Sequence, residues 1–276
     1  MKRKEQAFFH NLVAITALII LVLIVLFCVL YPMFADTTYW KISGERLQRP
    51  SLVHPLGTDN LGRDVMVRMA CGGRITLSVA FCSGLVAAVT GTVIGIISGY
   101  AGGGVDSVIM RLMDAISSIP SLLLAIVFDY ALGMGKGYFL FGIAIAGIPP
   151  FVRLVRGGVL EISGSAYAEA SRALGARSLH VIKEHVVRNI LPLAAIQTTT
   201  SMADALTICT ILGYISVGIN PPVPEWGALF DTGKEMLRAF PHLSIVPAAA
   251  IILCIICLYL LGNGIRDSLS IRGGAA

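Results

Sequence analysis

Few residues in this 276-residue chain have the type and spacing to do chemistry. Asp204 sits among Thr198, Thr199, Thr200, Ser201 and Thr207 within a run that is otherwise apolar. An isolated carboxylate at bilayer depth costs on the order of 3 kcal/mol, so it must face a bundle interior or be protonated. Two readings stay open. Asp204, with Thr200 and Ser201 beside it, lines a solute pathway and meets cationic groups such as a peptide amine or a metal complex. Alternatively it is a structural carboxyl paired with hydroxyls or with a partner's arginine. Cys254 and Cys257 have the C-x-x-C spacing of redox and zinc sites, but in an uncharged apolar run they act as small hydrophobes. Asp59 and Asp64 lack the EF-hand spacing and its closing glutamate. Thr58, Asp59 and Asn60 suit a turn whose side chains bond local backbone, which predicts a structural lid and no metal site. His10, His54, His180, His185 and His242 are scattered. No G-x-x-x-x-G-K-[ST] or H-E-x-x-H stretch occurs and no Ser/His/Asp grouping can be defended. The chain is expected to carry no catalytic residue and to hydrolyse no ATP.

The elements that position these residues are membrane spans. The chain is 56% hydrophobic and 13% charged, with a mean hydropathy of +0.81, whereas a soluble domain carries about 25% charge. Apolar runs of about 20 residues, enough to cross about 30 Å of hydrocarbon, recur from end to end. Six spans are predicted, at 12–31, 75–99, 108–128 (interrupted by Pro120), 132–152, 190–217 and 244–265. The first follows Met-Lys-Arg-Lys and is too long for a signal peptide, so it reads as a retained helix. The net charge of +5 comes from basic residues between the runs, which reports membrane orientation and argues against nucleic acid. An even number of spans puts both ends on one side, and Lys2, Arg3 and Lys4 favour the cytoplasm. The segment carrying Arg153, Arg156, Arg172, Arg177, Lys183 and Arg188 shares that side, although the opposite side also holds Lys41, Arg46, Arg49, Arg63, Arg68 and Arg74. Arg111 and Asp114, one turn apart, are expected to pair. Two rows at fourfold spacing, Gly91/Gly95/Gly99 and Ala80/Gly84/Ala88, predict close helix packing.

Residues 166–193 are amphipathic and basic yet lie between two spans. The spacing predicts a short helix over 167–174, a stop at Gly175, and a second helix capped by Ser178 and running to Val187. A helix, sharp turn and helix outside the bilayer makes a rigid lever. Glu169-Ala170-Ser171, three residues, Gly175 and then Ile190-Leu191-Pro192 resemble the cytoplasmic E-A-A...G loop of ATP-binding cassette importer permeases. Serine replaces the second alanine, and the distance from Gly175 to Pro192 exceeds the commonest version of the motif. His54-Pro55-Leu56-Gly57-Thr58-Asp59-Asn60-Leu61-Gly62-Arg63-Asp64 followed by Gly72-Gly73-Arg74-Ile75-Thr76-Leu77 resembles the second permease subunit of dipeptide, oligopeptide and nickel importers. So do Gly99-Tyr100-Ala101-Gly102-Gly103 with Asp106 and Met110-Arg111, Pro221-Pro222 with Glu225-Trp226-Gly227, and Gly264-Ile265-Arg266-Asp267. Departures are Ser216 where glycine is frequent, Asn263 for aspartate, and Ser270-Ile271-Arg272 for Asp-Pro-Arg.

The resemblance implies an all-α membrane protein with six transmembrane helices in the type I importer permease fold. Residues 1–74 would form an N-terminal helix and external loop, and 75–276 the core, with the cytoplasmic loop at about 153–192. It implies that Glu169, Ala170, Ser171, Arg172, Gly175, Ala176 and Arg177 dock on a partner ATPase, which binds the ATP and Mg, leaving this chain without a cofactor. The implied partners are a homologous second permease subunit in a heterodimer, one or two ATP-binding subunits, an external solute-binding protein and membrane lipid. The implied solute is a di- or oligopeptide or a nickel or other metal chelate, and the implied location is the bacterial cytoplasmic (inner) membrane with both termini cytoplasmic. The alternative is a stand-alone secondary transporter, which would want a long inverted repeat and more intramembrane ionisable residues than Asp204.

Overall fold

A computed structural model describes residues 11–35, 37–133, 137–165 and 186–270. The expected docking residues Glu169, Ala170, Ser171, Arg172, Gly175, Ala176 and Arg177 lie outside the described residues. All the regular elements described are helical: α1 Leu12–Phe34, α2 Val65–Ala101, α3 Gly103–Ser117, α4 Ser121–Leu132, α5 Phe139–Ser163, α6 Arg188–Tyr214, α7 Trp226–Lys234 and α8 His242–Ser270.

Four of them, α1, α2, α5 and α8, are long and apolar enough to cross a membrane; counting α3 and α4 as one span bent by 85° makes five. The bend falls at Pro120, which lacks the amide hydrogen needed to continue a helix. The 27-residue α6 is long enough but is not among them. Gln197, Thr198, Thr199, Thr200, Ser201 and Asp204 dilute its hydropathy.

The observed boundaries correct several expected ones. The 37-residue α2 starts at Val65 rather than Ile75, because Asp64 caps it by accepting from the Val67 amide at 3.0 Å. Its charged residues there have partners. Arg68 lies 3.4 Å from Asp59, and Arg74 donates to the carbonyls of Cys28 and Val29. Thus α2 runs unbroken across residues 74 and 75. The predicted 132–152 span is shifted to Phe139–Ser163, running through Pro149 and Pro150. Asp114 does not pair with Arg111: it accepts from Arg153 of α5 at 2.8 Å. Arg153 also reaches Ser117, an arrangement the local spacing could not announce. The nine-residue α7 was not anticipated.

Glycine rows set the packing. Cβ atoms added at Gly95 and Gly99 would stand 2.7 Å from Val155 Cβ and 2.8 Å from Val159 Cβ, and Gly91 meets Phe151 in the same way. Matching steps of four on both helices make α2 and α5 parallel neighbours in close backbone contact. The contacts of Gly147 with Ser201, and of Gly158 with Ile190, run α6 antiparallel to α5, while those of Gly262 with Thr199, and of Tyr259 with Asp204, run α8 antiparallel to α6. Asn11 Nδ2 donates to Asp267 Oδ2 at 3.3 Å. The start of α1, the end of α8, the end of α5 and the start of α6 therefore share one end of the bundle.

A Schellman turn closes α6: the Val217 amide donates to the Leu212 carbonyl at 2.9 Å, and the Ser216 amide to Gly213 at 3.1 Å. Ser216 consequently takes φ +58°, a left-handed conformation natural to glycine.

Candidate functional site

The cavity that carries chemistry lies where α6 faces α5 and the first turn of α4. It has about 200 Å³ of space, and its lining includes Gln197, Ser201 and Asp204 of α6, Ser121 of α4 and Pro150 of α5. Positions 197, 201 and 204 follow the i, i+4, i+7 rule, so one face of α6 carries all three groups. Asp204 is exposed on the isolated chain, and its Oδ1 accepts from the Tyr259 hydroxyl of α8 at 3.0 Å. Of the three residues expected here, Ser201 and Asp204 line the cavity and the half-buried Thr200 does not. Gln197 was missed although its spacing from Asp204 could have found it; Ser121 comes from a different helix and leaves no such signal.

A second cluster ties the far end of α2 to α7. Glu225 caps α7, accepting from the amides of Gly227 at 3.0 Å and Ala228 at 3.1 Å, and from the Thr76 hydroxyl at 3.0 Å. The Cys209 thiol reaches the same carboxylate at 3.9 Å. Burial pushes the Glu225 carboxyl above its ordinary range, against the opposing pull of these donors. Trp226, 1% exposed, donates its indole N–H to the Met69 carbonyl at 2.9 Å and lies against Gly73. The Gly72-Gly73 and Glu225-Trp226-Gly227 stretches, far apart in sequence, thus form a single joint. In the 57–64 turn Asp59 bonds local backbone as expected, accepting from the amides of Leu61 and Arg63, whereas Thr58 bonds the distant backbone of Gln48 and Glu45 and the buried Asn60 Oδ1 meets no donor. No group of three or more His, Cys, Asp or Glu able to hold a metal occurs among the described residues.

At the opposite end, Arg156 of α5 grips Asp106 of α3 through Nε at 2.5 Å and an amino nitrogen at 2.6 Å, and Ser98 of α2 donates to the same carboxylate at 2.5 Å. Beside it, Val155, Val159 and Ile162 bury against Val186 and Ile190, with Ile96 and Tyr100 packed on them. The residues that bracket 166–185 are therefore locked onto α2 and α5.

Comparison with known proteins decides what this bundle is. The family model described as "Binding-protein-dependent transport system inner membrane component" matches residues 91–272, and that for the "N-terminal TM domain of oligopeptide transport permease C" matches 6–50. The chain belongs to this family of importer permeases. Within it the chain is of the type of the permease proteins DppC and OppC. It is 33% identical to the dipeptide transport system permease protein DppC of Alkalihalophilus pseudofirmus over 94% of this chain and 86% of that one. It is 34% identical to the glutathione transport system permease protein GsiD of Pectobacterium atrosepticum over 94% and 86% of the two chains. The oligopeptide transport system permease protein OppC of Haemophilus influenzae is 32% identical over 96% and 86%. An inward-facing structure of the MetNI methionine ABC transporter superimposes with a TM-score of 0.57 over 74% of this permease and 96% of that chain, at 18% identity. That likeness shows the fold alone, a type I importer permease. With its apolar helices, the family places this permease among multi-pass inner-membrane proteins.

Proposed function

We propose that this permease moves short peptides across the bacterial inner membrane, driven by partner ATPases that act on the segment around Glu169–Arg177. One observation carries the reading: about 94% of the chain aligns with permeases named for dipeptides and glutathione. Those names favour a peptide over a nickel chelate, and membership of a binding-protein-dependent family favours a partnered system over a stand-alone transporter. The bent α3–α4 pair and α6 complete a set of six crossings, with both termini and the 166–185 segment on the cytoplasmic side. The assembly is a heterodimer with a homologous permease, one or two ATP- and Mg-binding subunits and an external solute-binding protein.

In this mechanism Glu169, Ala170, Ser171, Arg172, Gly175, Ala176 and Arg177 dock on the ATPase. Closure of the ATPase pair pushes the segment, and the Val186 and Ile190 contacts with Val155, Val159 and Ile162 pass the push to α5 and, through Ile96 and Tyr100, to α2. The bundle rocks between inward- and outward-facing states, with Asp204, Thr200 and Ser201 along the solute's path.

Reconstitution of the complete complex in vesicles tests this. Labelled dipeptide should enter only with ATP, the ATPases and the binding protein, and Gly175→Val should keep ATP hydrolysis while abolishing uptake. Uptake by this chain without any ATPase, or coupled transport by the Gly175 variant, would overturn the reading.

A further inference from the structure

The Asp204 cavity brings together groups that are left unspent. Thr198, Thr199, Thr207 and Thr210 of α6 donate their hydroxyls back to helix carbonyls. The side chains of Gln197 and Ser201 make no such bond, and Asp204 uses one oxygen on Tyr259, leaving acceptor capacity on the other. The cavity lining contains no lysine, arginine or histidine. Arg153, one turn along α5 from Pro150, is committed to Asp114 and Ser117. A carboxylate, a hydroxyl and an amide oxygen on one helix face, with no cation to neutralise them, complement a compact donor of three hydrogen bonds with a positive charge. A protonated amine has that chemistry, and a carboxylate or phosphate would be repelled. About 200 Å³ gives room for roughly six waters, which suits one end of a solute rather than a whole oligopeptide. Ile143, Ala146 and Ile208 supply an apolar wall for an adjoining aliphatic group.

We infer that the Gln197–Ser201–Asp204 face of α6 is a subsite for the protonated amino group of the solute, with Tyr259 as the residue that fixes the carboxylate. The inference rests on the peptide reading but is tested apart from it. In the complete complex, with the six native cysteines replaced, Ser201→Cys is reacted with methanethiosulfonates of opposite charge: a trimethylammonium ethyl reagent and a sulfonatoethyl reagent. Any change in the reactivity of the thiol itself alters both reagents alike, so the ratio of their rates reports the local potential. The cationic reagent should react faster by on the order of tenfold beyond its ratio on a free thiol, and Asp204→Asn should return the ratio to the free-thiol value. Gln197→Cys gives the same readout if the Ser201 variant does not assemble. A ratio unmoved by Asp204→Asn, or a thiol inert to both reagents in a complex that still transports, would overturn the subsite. A cation preference in a complex that moves no peptide would leave the subsite standing and sink the peptide reading instead.

Discussion

The indole of Trp226 occupies the space that a side chain at Gly73 would need: a β-carbon there would stand 2.8 Å from Trp226 Cε2. The joint between α2 and α7 therefore depends on a missing side chain. Gly73→Val should dislodge the ring and lower stability by about 2 kcal/mol, within the range for overpacking. Trp226→Ala should cost about 3–5 kcal/mol. Thermal unfolding in detergent checks both, and the emission of buried Trp226 should shift to the red in the Gly73 variant; an unchanged spectrum and midpoint would refute the packing.

Arg156 and Asp106 form a bidentate pair between α5 and α3, partly open to solvent on both sides. Charge-assisted bonds of this kind are worth about 1.5–3 kcal/mol each at most, so Asp106→Ala should destabilise by about 1–2 kcal/mol. The exchange Asp106→Arg with Arg156→Asp should recover part of the loss. If the double variant is no better than the single ones, the pair does not hold the two helices.

Ser216 adopts the left-handed turn of a Schellman motif at φ +58°. Its strain should be relieved by Ser216→Gly, raising stability by about 1 kcal/mol, whereas Ser216→Val should lower it by a similar amount. Paired melting curves decide the sign.

Glu225 links stability to pH. Its carboxyl is raised by burial, so the folded state binds the proton more tightly than the unfolded one. The resulting stabilisation is whole below the ordinary carboxylate range and is lost as pH rises through the raised value. Compared with Glu225→Gln, the native protein should gain stability as pH falls toward the ordinary carboxylate range, and parallel curves for the two would show that the carboxyl is not perturbed.

The spans were legible where nothing but hydrophobicity decides. α1, uncharged throughout, and α8, uncharged as far as Arg266, fall close to where their sequence places them. Expectation and structure part where a partner distant in sequence does the work. Arg68 and Arg74 end an apolar run on paper, yet Asp59 and two carbonyls of α1 let α2 continue past them. Arg153 and Arg156 likewise remain helical because Asp114 and Asp106 reach across from α3. In the cavity, Asp204 and Ser201 announced themselves as polar groups in an apolar run, and Gln197 shared their helical period. Ser121 and Tyr259 could not be inferred, since only tertiary packing brings α4 and α8 to that face. The Glu225–Trp226 joint was visible as a resemblance between short stretches, without any hint that the stretches touch.

The length of α2 reaches beyond its role as a span. At 1.5 Å per residue its 37 residues extend about 55 Å, while the hydrocarbon they cross is about 30 Å thick. The helix must reach past the lipid, with its first turns wedged between the 57–64 turn and Trp226 and its other end tethered through Ser98 to Asp106. A shaft of that length with no break works like a tiller: a few degrees of tilt at the Ser98 end sweep the Val65 end through several ångströms, so a small stroke on one face of the membrane can unseat what rests on the other.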